Sequence, residues 1–416
     1  MSMPPSPANG WSPRAGYRRS AYPAPASGAV STAGPPRLSE WTPRLAPEHR
    51  RGRIATIVLS VLGGLGLLAM LVVVYFSAME SSRVATQETW VVVVLASVLA
   101  LIPLIIVLGA VWWIDRWEPE PPGVLAAAFL WGAGVATVVS LVVSTSASLL
   151  VASSTGSPSR AQFFSAVVSA PIGEESTKAL GVLIVFLVWR RTFNGPVDGI
   201  VYACVVAEGF AFAEDILYFV RSASTIDLLI TFVMRGLLSP FAHPTFTACT
   251  GLAIGASARM RSSLAWIWMT PLGLVPAIML HAFWNGVVSQ MFILYFLVEV
   301  PLFIIWIGIV IWLRWSERMT MRARLYDYHR AGWYSPAEIT MLTTNSGRSA
   351  ARRWARGRGP RASDAMKVFL TSSSALAQLR QRAIDGHAEV DFAVRETSLL
   401  DAVSSSRRVF TGRIGS

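Results

Sequence analysis

Glu174, Glu175 and Lys178 interrupt a run of apolar residues, and Glu208, Glu214, Asp215, Arg235, His243, His281, Asn285 and Glu299 follow in equally apolar surroundings. A charged group at the centre of a membrane helix costs roughly 2.5–3.5 kcal/mol on insertion scales, so each is a functional candidate by default. In a helix Glu174 and Lys178 are i,i+4 on one face. Glu175 lies about 100° round and one turn from Lys178, so the lysine partly neutralises both carboxylates. His281 and Asn285 share the i,i+4 spacing, which sets a ring nitrogen beside a side-chain amide, and His243 and Thr247 repeat it. Two paired carboxylates, two histidines and a further glutamate suit metal-assisted or glutamate-activated hydrolysis, in which an acid deprotonates water and imidazole or amide donors stabilise the oxyanion. Histidine and carboxylate ligands also suit zinc. The same residues suit structural ion pairing, Glu174 with Lys178 and Arg235 with Glu214 or Asp215. Spacing alone leaves the two readings open.

The elements that must position these groups are membrane helices. Of 416 residues, 53% are hydrophobic and 14% charged, against roughly 25% charged in a soluble domain, which excludes an ordinary globular enzyme. On a ruler of about 20 apolar residues per crossing, spans fall near 54–78, 90–114, 123–150, 162–189, 196–220, 227–258, 264–287 and 290–313. The fold class is all-α, a polytopic membrane protein of about eight helices with a polar site between spans 4 and 7. Eight crossings put both termini on one side. The N-terminal tail, Arg116, Arg190–Arg191, Arg259–Arg261 and Arg314–Arg318 fall on that side, which makes both termini cytoplasmic and the protein a multi-pass component of the cell membrane. Counting height along each span brings Glu174–Glu175, Glu214, His243 and His281 into one layer at or above the midplane. Pro171, Pro271 and Pro276 would loosen the helices there and admit water.

Residues 1–53 carry 10 of the 24 prolines among Ser, Ala, Gly and Arg and read as a disordered cytoplasmic tail ahead of a membrane domain over 54–313. The first apolar run starts too far from the N-terminus for a cleaved secretion signal. Residues 314–416 read as a basic, solvated cytoplasmic tail with short helices, one opened by a capping box at Ser335–Glu338 and one over about 363–385 with Met366, Phe369, Leu376 and Leu379 on a broad face. The net charge of +12 is almost entirely arginine, with Lys178 and Lys367 the only lysines, and does not argue for nucleic acid. Cys204 and Cys249 lie in apolar stretches, so no disulfide framework is available and any metal must use His and carboxylate.

Asp115-Arg116-Trp117-Glu118-Pro119-Glu120-Pro121, the EExxK of Glu174 to Lys178, the GFAxxE of Gly209 to Glu214, His243, and the HxxWN of His281 to Asn285 together resemble the PrsW family of intramembrane proteases. That family is related to the CAAX prenyl protease and bacteriocin-processing group, and the match covers roughly residues 90–290. The resemblance implies that Glu174 and Glu175 activate the attacking water, that Glu214, His243 and His281 are metal ligands or proton shuttles, and that Asn285 holds the oxyanion. Zinc is the cofactor it implies, although relatives of the prenyl-protease type look like glutamate-dependent hydrolases. Asp215 stands where the family commonly has Asn, and Glu208 adds an acid to the same stripe of span 5. The two could form a second acidic site or bind Arg235.

The expectation is an intramembrane peptidase that cuts a single-span membrane protein near its extracytoplasmic side. In the resembled family, site-1 cleavage of an anti-sigma factor is the known type of task. The competing expectation is a proton- or cation-coupled transporter that uses the buried acids as a relay. A third is a scaffold whose function lies in the basic C-terminal tail.

Overall fold

The computed structural model describes residues 50–85, 88–117, 119–190, 193–288, 291–388 and 391–411. The expected disordered tail therefore lies, up to residue 49, outside the described residues, as do Glu118, Arg191 and residues 289–290, where the last two expected spans meet. All regular structure among the described residues is helical. It divides into a membrane unit that ends at Thr320 and takes in 381–388, and a C-terminal unit of Met321–Arg380 with 391–411.

The membrane unit runs α1 (Arg50–Ala85), α2 (Thr89–Ile114), α3 (Pro122–Thr155), α4 (158–188), α5 (Pro196–Val220), α6 (225–238), α7 (Ala242–Ser257), α8 (Trp266–Gly286) and α9 (292–330). Each expected span coincides with one long helical stretch, α6 and α7 together forming the sixth. Among the described residues six stretches are long and apolar enough to cross a membrane: those in α1, α2, α3, α6–α7, α8 and α9. The other two, α4 and α5, have the length but carry Glu174, Glu175 and Lys178, and Asp198, Glu208, Glu214 and Asp215. Their burden is met by position. Nearly every residue of α5 is buried, so the helix sits inside the others and its polar groups face protein instead of lipid.

Where α5 crosses α7 the two backbones touch. A Cβ at Gly199 would run into the carbonyl oxygen of Gly251, and one at Gly251 into that of Gly199. With no hydrophobic drive between helices in lipid, such small-residue crossings supply the packing. The helices are locally widened to π turns at Trp131–Ala136, Ser165–Ser169, Phe232–Leu238 and Tyr295–Glu299. Pro171 follows the π turn of α4, whereas Pro271 and Pro276 lie inside an α8 that stays continuous. The outright break comes at Ser239–Phe241, beside Pro240, between α6 and α7.

The last apolar stretch ends near Arg314, yet α9 continues to Arg330, since Arg, Met, Leu and Glu form helix without being lipophilic. The C-terminal unit adds α10 (Pro336–Leu342), α11 (Asn345–Arg356), α12 (Pro360–Ile384) and α13 (Phe392–Thr411). The Ser335 hydroxyl accepts from the Glu338 amide at 3.2 Å and the Glu338 carboxylate from the Ser335 amide at 2.9 Å, the expected capping box. Met366, Phe369 and Leu376 do not lie on solvent or lipid: they are buried with Leu325, Ile339, Leu342 and Val403 in a core of this unit's own. A strongly basic composition hid that core from any reading by average polarity.

Candidate active site

The ammonium of Lys178 is the hub of the site. It is fully buried and donates to Glu174 Oε2 at 3.3 Å, to Glu175 Oε1 at 3.0 Å and to His243 Nδ1 at 3.0 Å, and it stands 3.8 Å from the centre of the Phe210 ring. Lysine has three donors and no acceptor, so Nδ1 of His243 must be the accepting nitrogen and Nε2 must carry the proton. Nε2 accordingly donates to Glu214 Oε2 at 2.9 Å. The Arg235 guanidinium, half-turned over the Tyr218 ring at 4.1 Å, holds Glu214 at 2.6 Å and Asp215 at 2.7 Å. Of the two partners that the residue types offer Arg235, it takes both.

Glu175 is saturated. One oxygen receives Lys178 and His281 Nδ1, the latter at 3.1 Å, and the other receives the Thr247 hydroxyl at 2.8 Å. With Nδ1 of His281 turned to Glu175, its Nε2 faces Glu174 Oε2 at 3.9 Å, and the ring stacks on Phe246 with centroids 5.1 Å apart. The result is that Glu174, His243 and His281 each bring a ligand-type atom within 4.8 Å of the other two. Of the expected Glu214, His243 and His281, the two histidines converge with Glu174, and Glu214 lies on the far edge of His243 against Arg235. A carboxylate and two imidazoles form the donor set of catalytic zinc sites, and a carboxylate behind His281 is the usual support for a ligating ring. The donor types and their convergence suit such a metal, and to ligate it His243 Nδ1 would have to exchange its bond from Lys178 for the ion.

These groups form the floor of a cavity of about 760 Å³, within the size range of ligand sites. Glu174, Glu214, His243 and His281 line it; Glu175 does not. Its walls include Ser140, Ser144 and Ser148 of α3, a serine stripe at i,i+4 spacing on that helix. Asn285 also lines the cavity, and its amide donates to the Ala166 carbonyl in the π turn of α4 at 2.9 Å. Residue types gave no signal for Phe210, Phe246 or Tyr218 as parts of the centre. Phe210 lay inside a motif already singled out, where an aromatic one turn from Glu214 reads as ordinary core.

The site is thus a cluster of buried ion pairs and two histidines at the edge of a cavity in an all-helical, polytopic membrane protein. Compared with known proteins, residues 120–309 match the model of the PrsW family intramembrane metalloprotease. Protease PrsW of Clostridioides difficile (strain 630) is 30% identical over 159 residues, 38% of this chain and 63% of that protein, so the chain spans somewhat under two thirds of the relative it matches. No solved structure matches the chain significantly. Over residues 120–309 the chain is similar to the PrsW family, and the transporter alternative is not favoured.

Proposed function

We propose that the site hydrolyses a peptide bond of a membrane-anchored protein, with a zinc ion held by Glu174, His243 and His281. The observation that carries this reading is the convergence of those three side chains at one cavity of about 760 Å³ between helices. When bound, the metal would act as a Lewis acid and make water a nucleophile near neutral pH. Glu175 orients His281 and Lys178 through one bond to each and is itself fixed by the Thr247 hydroxyl. Glu214 faces the cavity beside His243 and takes the proton that water loses, with Arg235 steadying the carboxylate. Asn285 serves the oxyanion by exchanging its bond to Ala166 for one to substrate.

Both termini are cytoplasmic in this proposal, following the arginine distribution, and the cavity then opens toward the outer leaflet. A substrate helix must unwind to present a carbonyl, which is cheapest where water reaches. We infer a single-span protein as substrate, and the family resemblance makes an anti-sigma factor the first to test. Purified protein in detergent should cleave a single-span substrate and contain about one zinc per chain. Glu174→Gln and His281→Ala should lose both metal and cleavage, by on the order of a hundredfold or more for cleavage; Glu214→Gln should keep the metal and lose cleavage, at roughly the cost of a general base. Cleavage that survives chelation with no metal bound would replace the metal by Glu174 acting as base. Cleavage unchanged in all three variants would end the hydrolase reading.

A further inference from the structure

Glu208 is left over by every role described so far. It lies on α5 in the interior of the membrane unit, is 1% exposed, and its Oε2 has no hydrogen-bond partner. It lines a second, separate void of about 20 Å³ together with Asp215, Ser239, Pro240 and the back of Arg235 and His243. That volume holds one water-sized particle. The void sits against the break at Ser239–Phe241, where α6 ends: the Leu238 carbonyl accepts from the Tyr295 hydroxyl and the Ser239 carbonyl from the Ala242 amide, while Pro244 has no amide hydrogen to offer the Pro240 carbonyl.

Charge balance points the same way. In and around the centre, Glu174, Glu175, Glu208, Glu214 and Asp215 face only two fixed cations, Lys178 and Arg235. Lys178 is bonded to Glu174 and Glu175, and Arg235 to Glu214 and Asp215. A divalent metal at the first site would leave one negative charge over, and Glu208 is the carboxylate that neither cation bonds. Broken helices that pair an acid with unwound carbonyls are how membrane proteins hold small monovalent cations.

We propose that Glu208, Asp215 and the backbone at Ser239–Pro240 form a monovalent cation site, sized for sodium, that fixes the α6–α7 break and through it the placement of Arg235 and His243. The site is distinct from the hydrolytic one, and its test does not depend on cleavage. Full-length protein in detergent is unfolded by heat in sodium chloride and in choline chloride at equal ionic strength, and binding of radioactive sodium is measured on the same preparation. Sodium should raise the midpoint by several degrees in a saturable manner, with about one ion bound per chain, and potassium should do so less. Glu208→Gln should abolish both the shift and the binding, while Glu208→Asp, which keeps the charge, should retain binding at reduced affinity. A wild-type midpoint identical in the two salts, with no sodium bound, would mean that Glu208 carries its own proton and would overturn the proposal. So would a shift and binding that persist in Glu208→Gln, which would put the ion elsewhere.

Discussion

Lys178 shows what a single residue does here. Its charge is shared among two carboxylates and an imidazole in a volume without solvent, so deleting it strands two buried negative charges. Breaking a buried pair from one side costs about 3–5 kcal/mol, and Lys178→Met is expected to lose that much stability in a reversible detergent unfolding titration. Lys178→Arg should also fail, because a planar fork cannot point at three acceptors spread around a compact ammonium. A Lys178→Met variant as stable as wild type would show that the three bonds are not formed together. The Glu174–Lys178 pair was legible in the sequence from i,i+4 spacing, and Arg235 with its acids from the scarcity of other cations. The bond from Lys178 to His243 was not, because it joins residues 65 apart and spacing carries information only within one helix.

At the scale of elements, the α5–α7 crossing tolerates no side chain. Gly251→Leu would force the backbones apart and tilt His243, one α7 turn pair away, from Lys178. We expect overpacking of this kind to cost about 1–3 kcal/mol or more and to reduce metal content and cleavage together, read by unfolding and metal analysis. The turn after α2 offers a pH test. Asp115 accepts from the Glu120 amide at 3.1 Å with both oxygens, and burial pushes its carboxyl up to about 7. The folded state thus holds a proton that the unfolded chain releases near 4, so this contribution is intact below about pH 4 and is lost as pH rises through about 7. Asp115→Asn should flatten the fall in unfolding midpoint between about pH 4 and 7 relative to wild type. An unchanged slope would show that Asp115 ionises normally. Helix existence was legible from hydropathy at all eight places, whereas the α6–α7 break and the four π turns were not. They arise from how neighbours satisfy a loosened backbone, and prolines marked them poorly: Pro271 and Pro276 sit in unbroken helix.

At the scale of the molecule, the membrane unit holds every group proposed for hydrolysis, and the C-terminal unit has a core of its own. A chain ending after Arg330 should therefore still cleave the single-span substrate in detergent, which a gel assay checks; loss of cleavage with retained metal would give the C-terminal unit a part in the reaction. The division into a membrane part and a polar C-terminal part was legible in composition, but the C-terminal core was not, since arginine-rich helices bury their apolar faces only once the partner helices are known. The concentration of charge on α5 also bears on how the chain is made. Asp198, Glu208, Glu214 and Asp215 would together cost several kcal/mol or more if α5 entered lipid by itself. Arg235, which answers two of these acids, is synthesised only after α5 is complete. Helix α5 must therefore wait at the insertion machinery until α6 has been made, and the central helices enter the bilayer as a group, already paired.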